Sequence, residues 1–134
     1  MQSAGHMARC LIVDDHDDGR DGFSEYLETF EFEVTGMASA EQALGAMARD
    51  SYDLLIVDLQ LPGMDGWEYI STVRRGARQR NVPIIALSAC VYPEDRVRAE
   101  EAGCNAFLAK PCPPDELLAT VRRLLSSDLT RRSA

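Results

Sequence analysis

The sequence predicts a doubly wound α/β domain, and two observations support this prediction. Five short apolar runs of strand length recur along the 134-residue chain, and segments with the apolar spacing of helices alternate with them. The runs are continuously apolar, which is typical of parallel strands that are buried on both faces. Five strand–helix repeats with right-handed crossovers therefore predict a five-stranded parallel sheet flanked by five helices.

Each predicted strand is recognised by its apolar run and by the residue that follows it. The first run ends at Asp14 and Asp15, the third at Asp58, the fourth at Ser88 and the fifth at Lys110. The second run is shorter and more polar, as expected of an edge strand. The five runs occupy residues 10–13, 32–37, 54–57, 84–87 and 106–109.

The predicted helices follow these runs in order. Ser39 is the expected N-cap of the second helix, because Gln42 follows it by three residues as in a capping box. The fourth helix covers residues 93–102 and ends at Gly103, and Pro114 begins the fifth. Apolar side chains at helical spacing mark the other helices, at Phe23, Leu27, Phe30; Ala40, Ala43, Leu44, Met47; Trp67, Ile70, Val73; and Leu117, Leu118, Val121, Leu124, Leu125.

Composition argues against several classes of protein. The chain has 22 acidic and 14 basic residues, a formal net charge of -8, which repels phosphate backbones, so we expect no direct nucleic-acid partner. No apolar run approaches the ~18 residues of a membrane span, so we expect no membrane association. The four cysteines form no CxxC pair, and no export signal is recognisable, so we expect a cytoplasmic protein.

One domain is expected. Residues 1–7, MQSAGHM, are interpreted as a leader introduced by cloning. Residues 8–126 form the predicted domain, and residues 127–134 form a short polar tail.

The polar residues that end the buried strands predict the functional site, because ligands of open α/β sheets bind beyond the carboxyl ends of the strands. Asp14, Asp15 and Asp58 would repel one another there unless a cation lay among them, and oxygen ligands suit Mg2+. Ser88 and Lys110 add a hydrogen-bond donor and a positive charge. Such a set around a carboxylate suits phosphoryl transfer, with Asp58 as nucleophile.

Taken singly, each of these residues has a structural interpretation. Asp14 and Asp15 could charge the N-terminus of the first helix, Ser88 could be a turn residue and Lys110 could be solvated. The functional interpretation rests on their joint position at the ends of four buried strands.

The same segments resemble the receiver domain of bacterial two-component response regulators, the CheY-like family. The segments are LIVDDHDD, LLIVDLQLPGMDGWE, IIALSA and AFLAKPCPPDEL, and the resemblance covers residues 8 to about 126. It implies a flavodoxin-like sheet with strand order 2-1-3-4-5.

The resemblance also implies the roles of the acidic residues. Asp58 would be the phosphoacceptor, receiving a phosphoryl group from a sensor histidine kinase or a histidine phosphotransfer protein. Asp15 would bind Mg2+ directly and Asp14 mostly through water. Asp58 and the backbone carbonyl of Gln60 would complete the metal ligands.

Further roles follow from the resemblance at the last two strands. Ser88 and Lys110 would each bind a phosphoryl oxygen, and the Lys110-Pro111 peptide bond would be cis. Phosphorylation would draw Ser88 toward the phosphate and let Phe107 turn inward, which would change the face formed by helix 4, strand 5 and helix 5. A fixed core role for Phe107 is the alternative.

Four neighbouring residues receive local interpretations. Gln60 and Cys90 would flank the phosphoryl group and tune the access of hydrolytic water. His16 is interpreted as a surface residue whose side chain points away from that of Asp15. Asp65 is interpreted as a cap of the third helix.

These observations predict a phosphorylation-controlled binding module, which is not an enzyme beyond its own phosphotransfer and dephosphorylation at Asp58. Its output would pass to a downstream protein or to an output domain outside this sequence, and homodimerisation stays open. One alternative is a haloacid-dehalogenase-like Mg2+-dependent phosphatase, whose D-x-D signature is mimicked by Asp15-His16-Asp17. That family needs acids where this chain has Lys110-Pro111. The other alternative is a receiver-like binding module that is not phosphorylated.

Overall fold

A computed structural model contains five strands and five helices in the residues that it describes. It describes residues 7–89 and 92–133, with side-chain surroundings up to residue 126, so Cys90 and residues 1–6 of the predicted leader lie outside the described residues. The elements are β1 (Arg9–Val13), α1 (Asp17–Thr29), β2 (Glu33–Met37), α2 (Ala40–Arg49), β3 (Leu54–Asp58), α3 (Gly66–Arg75), β4 (Ile84–Ser88), α4 (Pro93–Ala102), β5 (Ala106–Ala109) and α5 (Pro114–Ser133).

The strands form one parallel sheet in the order β2-β1-β3-β4-β5. The predicted fold class and strand order are therefore confirmed. The chain leaves β1 toward β2 on one side and returns to β3 on the other side, so strand order reverses between β1 and β3. Open α/β sheets bind ligands beyond the carboxyl ends of the strands at such a point.

Both faces of the sheet are covered, as the continuous apolar runs predicted. Leu11 and Val13 of β1 belong to the core that packs under α2, α3 and α4, whereas Cys10 and Ile12 belong to the core under α1 and α5. Successive side chains of a strand point to opposite faces. Every residue of β3 and β4 is buried, while β2 is partly exposed at the edge.

Two helices begin with the caps that the sequence predicted. The Ser39 side chain accepts a hydrogen bond from the backbone N–H of Gln42 at 3.1 Å, and Gln42 Oε1 accepts one from the backbone N–H of Ala38 at 3.1 Å. The Asp65 side chain accepts from the backbone N–H of Glu68 at 2.8 Å and caps α3. These caps fix two helix starts that lie beside the site end of the sheet.

The loop between β3 and α3 turns at Gly63 and is held by two hydrogen bonds. Gly63 has a positive φ of 72°, which favours glycine, and the backbone N–H of Met64 donates to Glu41 Oε2 at 3.1 Å. The backbone N–H of Gly66 donates to the carbonyl oxygen of Leu59 at 3.0 Å. The loop that follows Asp58 is therefore tied both to α2 and to the end of its own strand.

The last helix continues into the residues that were predicted to form a polar tail. The apolar positions that marked this helix in the sequence run to Leu125, and the backbone of α5 is helical to Ser133. Residues 126–133 are polar apart from Leu129, so little apolar pattern marks this part of the helix. None of the helices in the described part of the chain combines the length and the hydrophobicity of a transmembrane span.

Candidate functional site

The acidic residues that end β1 and β3 meet in one pocket. Asp14 is 1% exposed and Asp58 is 2% exposed, and the pairing of Val13 with Val57 places them side by side on adjacent strands. One ligand atom each from Asp14, Asp15, His16 and Asp58 lies within 4.8 Å of the others. The predicted convergence of the three carboxylates is therefore observed.

Lys110 closes the pocket from the end of β5. Its Nζ lies 2.8 Å from Asp58 Oδ2 and 3.5 Å from Asp14 Oδ2, and its backbone N–H donates to the carbonyl oxygen of Ser88 at 2.9 Å. The Lys110-Pro111 peptide bond is cis, as the resemblance implied. The backbone of Lys110 is thus bound to β4, and its ammonium group pairs with both buried carboxylates.

Burial controls the electrostatics of the Asp58–Lys110 pair. Burial raises the pKa of the Asp58 carboxyl above its usual range and the charge of Asp14 adds to the increase, although hydrogen bonds from Lys110 and from the Gln60 N–H oppose it. Burial lowers the pKa of Lys110, but the hydrogen bond to Asp58 and the charges of Asp58 and Asp14 outweigh this effect, so its pKa is raised. One ammonium group therefore pairs with two buried carboxyl groups, those of Asp14 and Asp58.

The pocket fits a divalent cation. Oδ1 of Asp15 is buried and receives no hydrogen bond from the described residues, although the His16 ring nitrogen Nδ1 lies 3.3 Å away. A buried carboxylate oxygen without a donor destabilises the fold, and a metal ion bound to it removes that penalty. The available oxygen donors are those that Mg2+ prefers.

His16 differs from its predicted orientation. Its side chain is 70% exposed, as expected of a surface residue, but Nδ1 lies 3.3 Å from Asp14 Oδ1 and 3.3 Å from Asp15 Oδ1. The backbone N–H of His16 donates to Asp14 Oδ1 at 2.9 Å, and this local turn brings the ring over the acidic pair. The prediction that the ring points away from Asp15 was wrong.

Ser88 is fully buried at the end of β4 and contacts the side chain of Gln60. Ser88 Oγ lies 3.0 Å from Gln60 Nε2 and 3.3 Å from Gln60 Oε1. The backbone N–H of Gln60 donates to Asp58 Oδ1 at 2.9 Å. Gln60 thus connects the ends of β3 and β4, a contact that the sequence analysis missed because it depends on a side-chain rotamer.

Phe107, the predicted switch residue, lies in the middle part of β5. Its ring is half-buried and packs against the core on the α2–α3–α4 side. The guanidinium group of Arg96 on α4 lies 5.2 Å from the ring centroid. The contact of Arg96 with this ring was not predicted from the sequence.

Arg20 is a second residue of the site that the sequence analysis missed. It donates to the carbonyl oxygen of Asp14 at 2.7 Å and to Asp17 Oδ1 at 2.6 Å. Its aliphatic stem packs against Gly36, where an added Cβ would lie 3.0 Å from Arg20 Cδ. In the sequence, the one feature that could have pointed to this role is that Arg20 is a basic residue in the otherwise acidic first turns of α1.

Fold and pocket together define a signalling receiver domain. The chain matches the response regulator receiver domain family over residues 10–122, and it belongs to this family. It is therefore a receiver domain of two-component signalling, a signalling module, and this membership decides against the phosphatase alternative. The pocket of Asp14, Asp15 and Asp58 is consistent with a phosphoacceptor site and typical of the receiver Mg2+ site. Domains of this family generally interact with histidine kinases or phosphotransfer partners.

Individual relatives agree with this assignment. The sensory/regulatory protein RpfC of Xanthomonas campestris is 40% identical over 121 residues, which cover 89% of this chain and 17% of RpfC. Response regulator Rre1 of Synechocystis is 36% identical over 130 residues, which cover 92% of this chain and 56% of Rre1. The structure of the chemotaxis protein CheY4 of Vibrio cholerae is similar with a TM-score of 0.84 at 31% identity, over 88% of this chain and 98% of CheY4. This chain therefore spans less than two thirds of either of those two curated relatives.

Proposed function

We propose that this chain is a phosphorylation-controlled binding module in which Asp58 accepts a phosphoryl group. The donor is the phosphohistidine of a sensor histidine kinase or of a histidine phosphotransfer protein. The observation that carries the proposal is the position of Lys110 Nζ, 2.8 Å from Asp58 Oδ2, in a pocket where the acidic ligand atoms lie within 4.8 Å of one another.

The transfer forms one bond and breaks one. A carboxylate oxygen of Asp58 attacks the phosphorus atom, and the bond between phosphorus and the imidazole nitrogen of the donor breaks, leaving its electron pair on that nitrogen. The product is an acyl phosphate on Asp58. Lys110, which now pairs with the carboxylate, is within reach of a phosphoryl oxygen and stabilises the charge that is transferred.

Mg2+ is the proposed cofactor. Its ligands are Asp14, Asp15, Asp58 and the backbone carbonyl of Gln60, and the Asp15 oxygen without a hydrogen-bond donor supports this assignment. When bound, the ion offsets the negative charge of the carboxylates and of the phosphoryl oxygens. Direct binding by Asp15 and water-mediated binding by Asp14 stay predictions.

We propose that phosphorylation changes the conformation of Ser88 first and of Phe107 in consequence. Ser88 would move toward a phosphoryl oxygen on Asp58, and Phe107 would turn inward from its half-buried position and change the face formed by α4, β5 and α5. Because this chain spans only part of RpfC and Rre1, the receiver of that change is either a separate protein or an output domain of a longer polypeptide. Homodimerisation and a cytoplasmic location also stay predictions.

Incubation with acetyl phosphate tests the proposal. With Mg2+ present, intact-protein mass spectrometry should detect one phosphoryl group per chain, and a chelator or the substitution Asp58→Asn should abolish it. Asp65→Asn is the matched control, because it removes a carboxylate from the loop after Asp58 and keeps a capping side chain. Wild-type protein that stays unlabelled would instead support the binding module that is not phosphorylated.

A further inference from the structure

The side-chain amide of Gln60 contacts two hydrogen-bond donors at the end of β4, the Ser88 hydroxyl and the Ala89 backbone N–H. Its Oε1 lies 3.3 Å from Ser88 Oγ and accepts a hydrogen bond from the backbone N–H of Ala89 at 3.2 Å. The Ala89 N–H is a donor and needs an acceptor, so the oxygen of the Gln60 side-chain amide, and not its NH2 group, points toward Ala89. The same amide places Nε2 3.0 Å from Ser88 Oγ.

These donors lie beside the carboxylate of Asp58. Asp58 pairs with Leu87 in the register of β3 and β4. Ser88, the last residue of β4, and Ala89, which follows it, therefore come directly after the pairing partner of Asp58. The backbone N–H of Gln60 is itself bound to Asp58 Oδ1 at 2.9 Å. A phosphoryl oxygen attached to Asp58 is an acceptor without a proton at neutral pH, and it would require the same two donors that Gln60 Oε1 faces.

We propose that the Gln60 amide is an internal competitor of the phosphoryl group. It faces the Ser88 hydroxyl and the Ala89 N–H in the unphosphorylated protein, and it leaves them when a phosphoryl oxygen takes its place. This inference rests on the proposed function of Asp58, and it assigns to Gln60 a positioning role that sets how readily Ser88 is recruited.

The direction of the exchange follows from charge. Hydrogen bonds to a charged phosphoryl oxygen are about twice as strong as those to a neutral amide, so the phosphoryl group displaces Gln60. The exchange nevertheless breaks the contacts of the Gln60 amide with Ser88 and Ala89, and this loss lowers the affinity for the phosphoryl group. Removing the amide while keeping the length of the side chain should therefore strengthen the binding of a phosphoryl analogue.

Beryllofluoride, titrated in Mg2+ and followed by calorimetry, is a suitable analogue because it binds carboxylates without a covalent transfer. Gln60→Met keeps the side-chain length and removes the acceptor, and it should bind beryllofluoride about tenfold more tightly than wild type, the size of one or two ordinary hydrogen bonds. Gln42→Met is the matched control. The side-chain oxygen of Gln42 also accepts a hydrogen bond from a backbone N–H, that of Ala38, at 3.1 Å. Gln42 lies at the start of α2, so its substitution should leave the affinity for beryllofluoride unchanged.

A double variant separates competition from a simple widening of the pocket. In a Ser88→Ala background one of the two contested donors is missing, so Gln60→Met should gain only about threefold or less. A gain of the same size in both backgrounds would overturn the inference, because it would not depend on the Ser88 hydroxyl. The Ala89 amide proton should also exchange faster with solvent in Gln60→Met than in wild type, since it loses its acceptor.

The outcomes distinguish this inference from the function on which it rests. If folded wild-type protein binds no beryllofluoride in Mg2+, the proposed role of Asp58 fails, and the role of Gln60 fails with it. If wild type binds and Gln60→Met binds equally or more weakly, only the inference about Gln60 is overturned.

Discussion

A Cβ atom added to Gly66 would lie 2.6 Å from the carbonyl oxygen of Asp58. The same Cβ would lie 2.5 Å from Leu59 Cα, and neither neighbour is a flexible side chain that could move aside. Helix α3 therefore starts in contact with the backbone of the proposed phosphoacceptor. Only glycine permits this approach.

Gly66→Ala should therefore destabilise the domain and displace Asp58. We expect the free energy of unfolding in urea to fall by about 1 to 3 kcal/mol, the range for overpacked sites, and phosphorylation by acetyl phosphate to become slower. Gly22→Ala is the control, because apart from its chain neighbours and the nearby backbone of its own helix nothing lies within 4 Å of the added Cβ, and alanine favours the helix by up to ~1 kcal/mol. Equal stability of the two variants would contradict the close contact.

Arg96 should restrain Phe107 in the unphosphorylated protein. Arg96→Ala removes a cation–π contact of about 0.5 to 1 kcal/mol, so the inward position of Phe107 becomes more accessible and beryllofluoride should bind about 2- to 5-fold more tightly. Arg98→Ala is the matched control on the same helix, since Arg98 stacks over Trp67 at 4.2 Å and not over Phe107. An equal gain in both variants would point to the charge of α4 and not to Phe107.

Arg20 should hold the acidic pocket in shape through the Asp14 carbonyl. Arg20→Lys keeps the charge but loses the paired donors that reach Asp14 and Asp17, and we expect Mg2+ affinity, measured by calorimetry, to fall about tenfold. Arg9→Lys is the control, since Arg9 binds Glu33 and the carbonyl oxygen of Ser51 at the opposite end of the sheet. Unchanged Mg2+ binding in Arg20→Lys would remove Arg20 from the site.

The buried charge of Asp58 should reduce stability when no metal is present. Burial raises the pKa of this carboxyl, so the folded state favours its protonated form. The protonated carboxyl therefore adds to the stability of the fold at low pH. This contribution is lost as the pH rises through the pKa of the folded state. In a chelator at pH 7, Asp58→Asn should therefore raise the Tm above that of wild type. The gain should shrink as the pH falls toward 4. A Tm of Asp58→Asn below that of wild type at pH 7 would contradict the sign.

The sheet and the pocket were predictable because both follow from regularities along the chain. Continuous apolar runs such as 54–57 mark strands buried on both faces, and a parallel sheet brings the residues after those runs to one edge. Asp14, Asp58 and Lys110 therefore meet even though Lys110 is far from both in sequence.

The missed contacts depend on side-chain conformation. Gln60 reaches Ser88, Arg20 reaches the Asp14 carbonyl and Arg96 covers Phe107, and each arrangement is chosen among rotamers by packing that no local pattern records. The ring of His16 was misplaced for a similar reason, because a local turn, and not strand alternation, sets its direction. The extension of α5 to Ser133 was not predicted, because residues 126–133 contain a single apolar residue, Leu129.

The central claim, that Asp58 carries the phosphoryl group, is tested most directly by locating the acyl phosphate. Borohydride reduces an aspartyl phosphate to homoserine, which peptide mass spectrometry assigns to a position in the sequence. After incubation with acetyl phosphate and Mg2+, we predict homoserine at position 58 and at no other aspartate of the pocket. Homoserine at Asp14 or Asp15, or none at all in folded protein, would contradict the account.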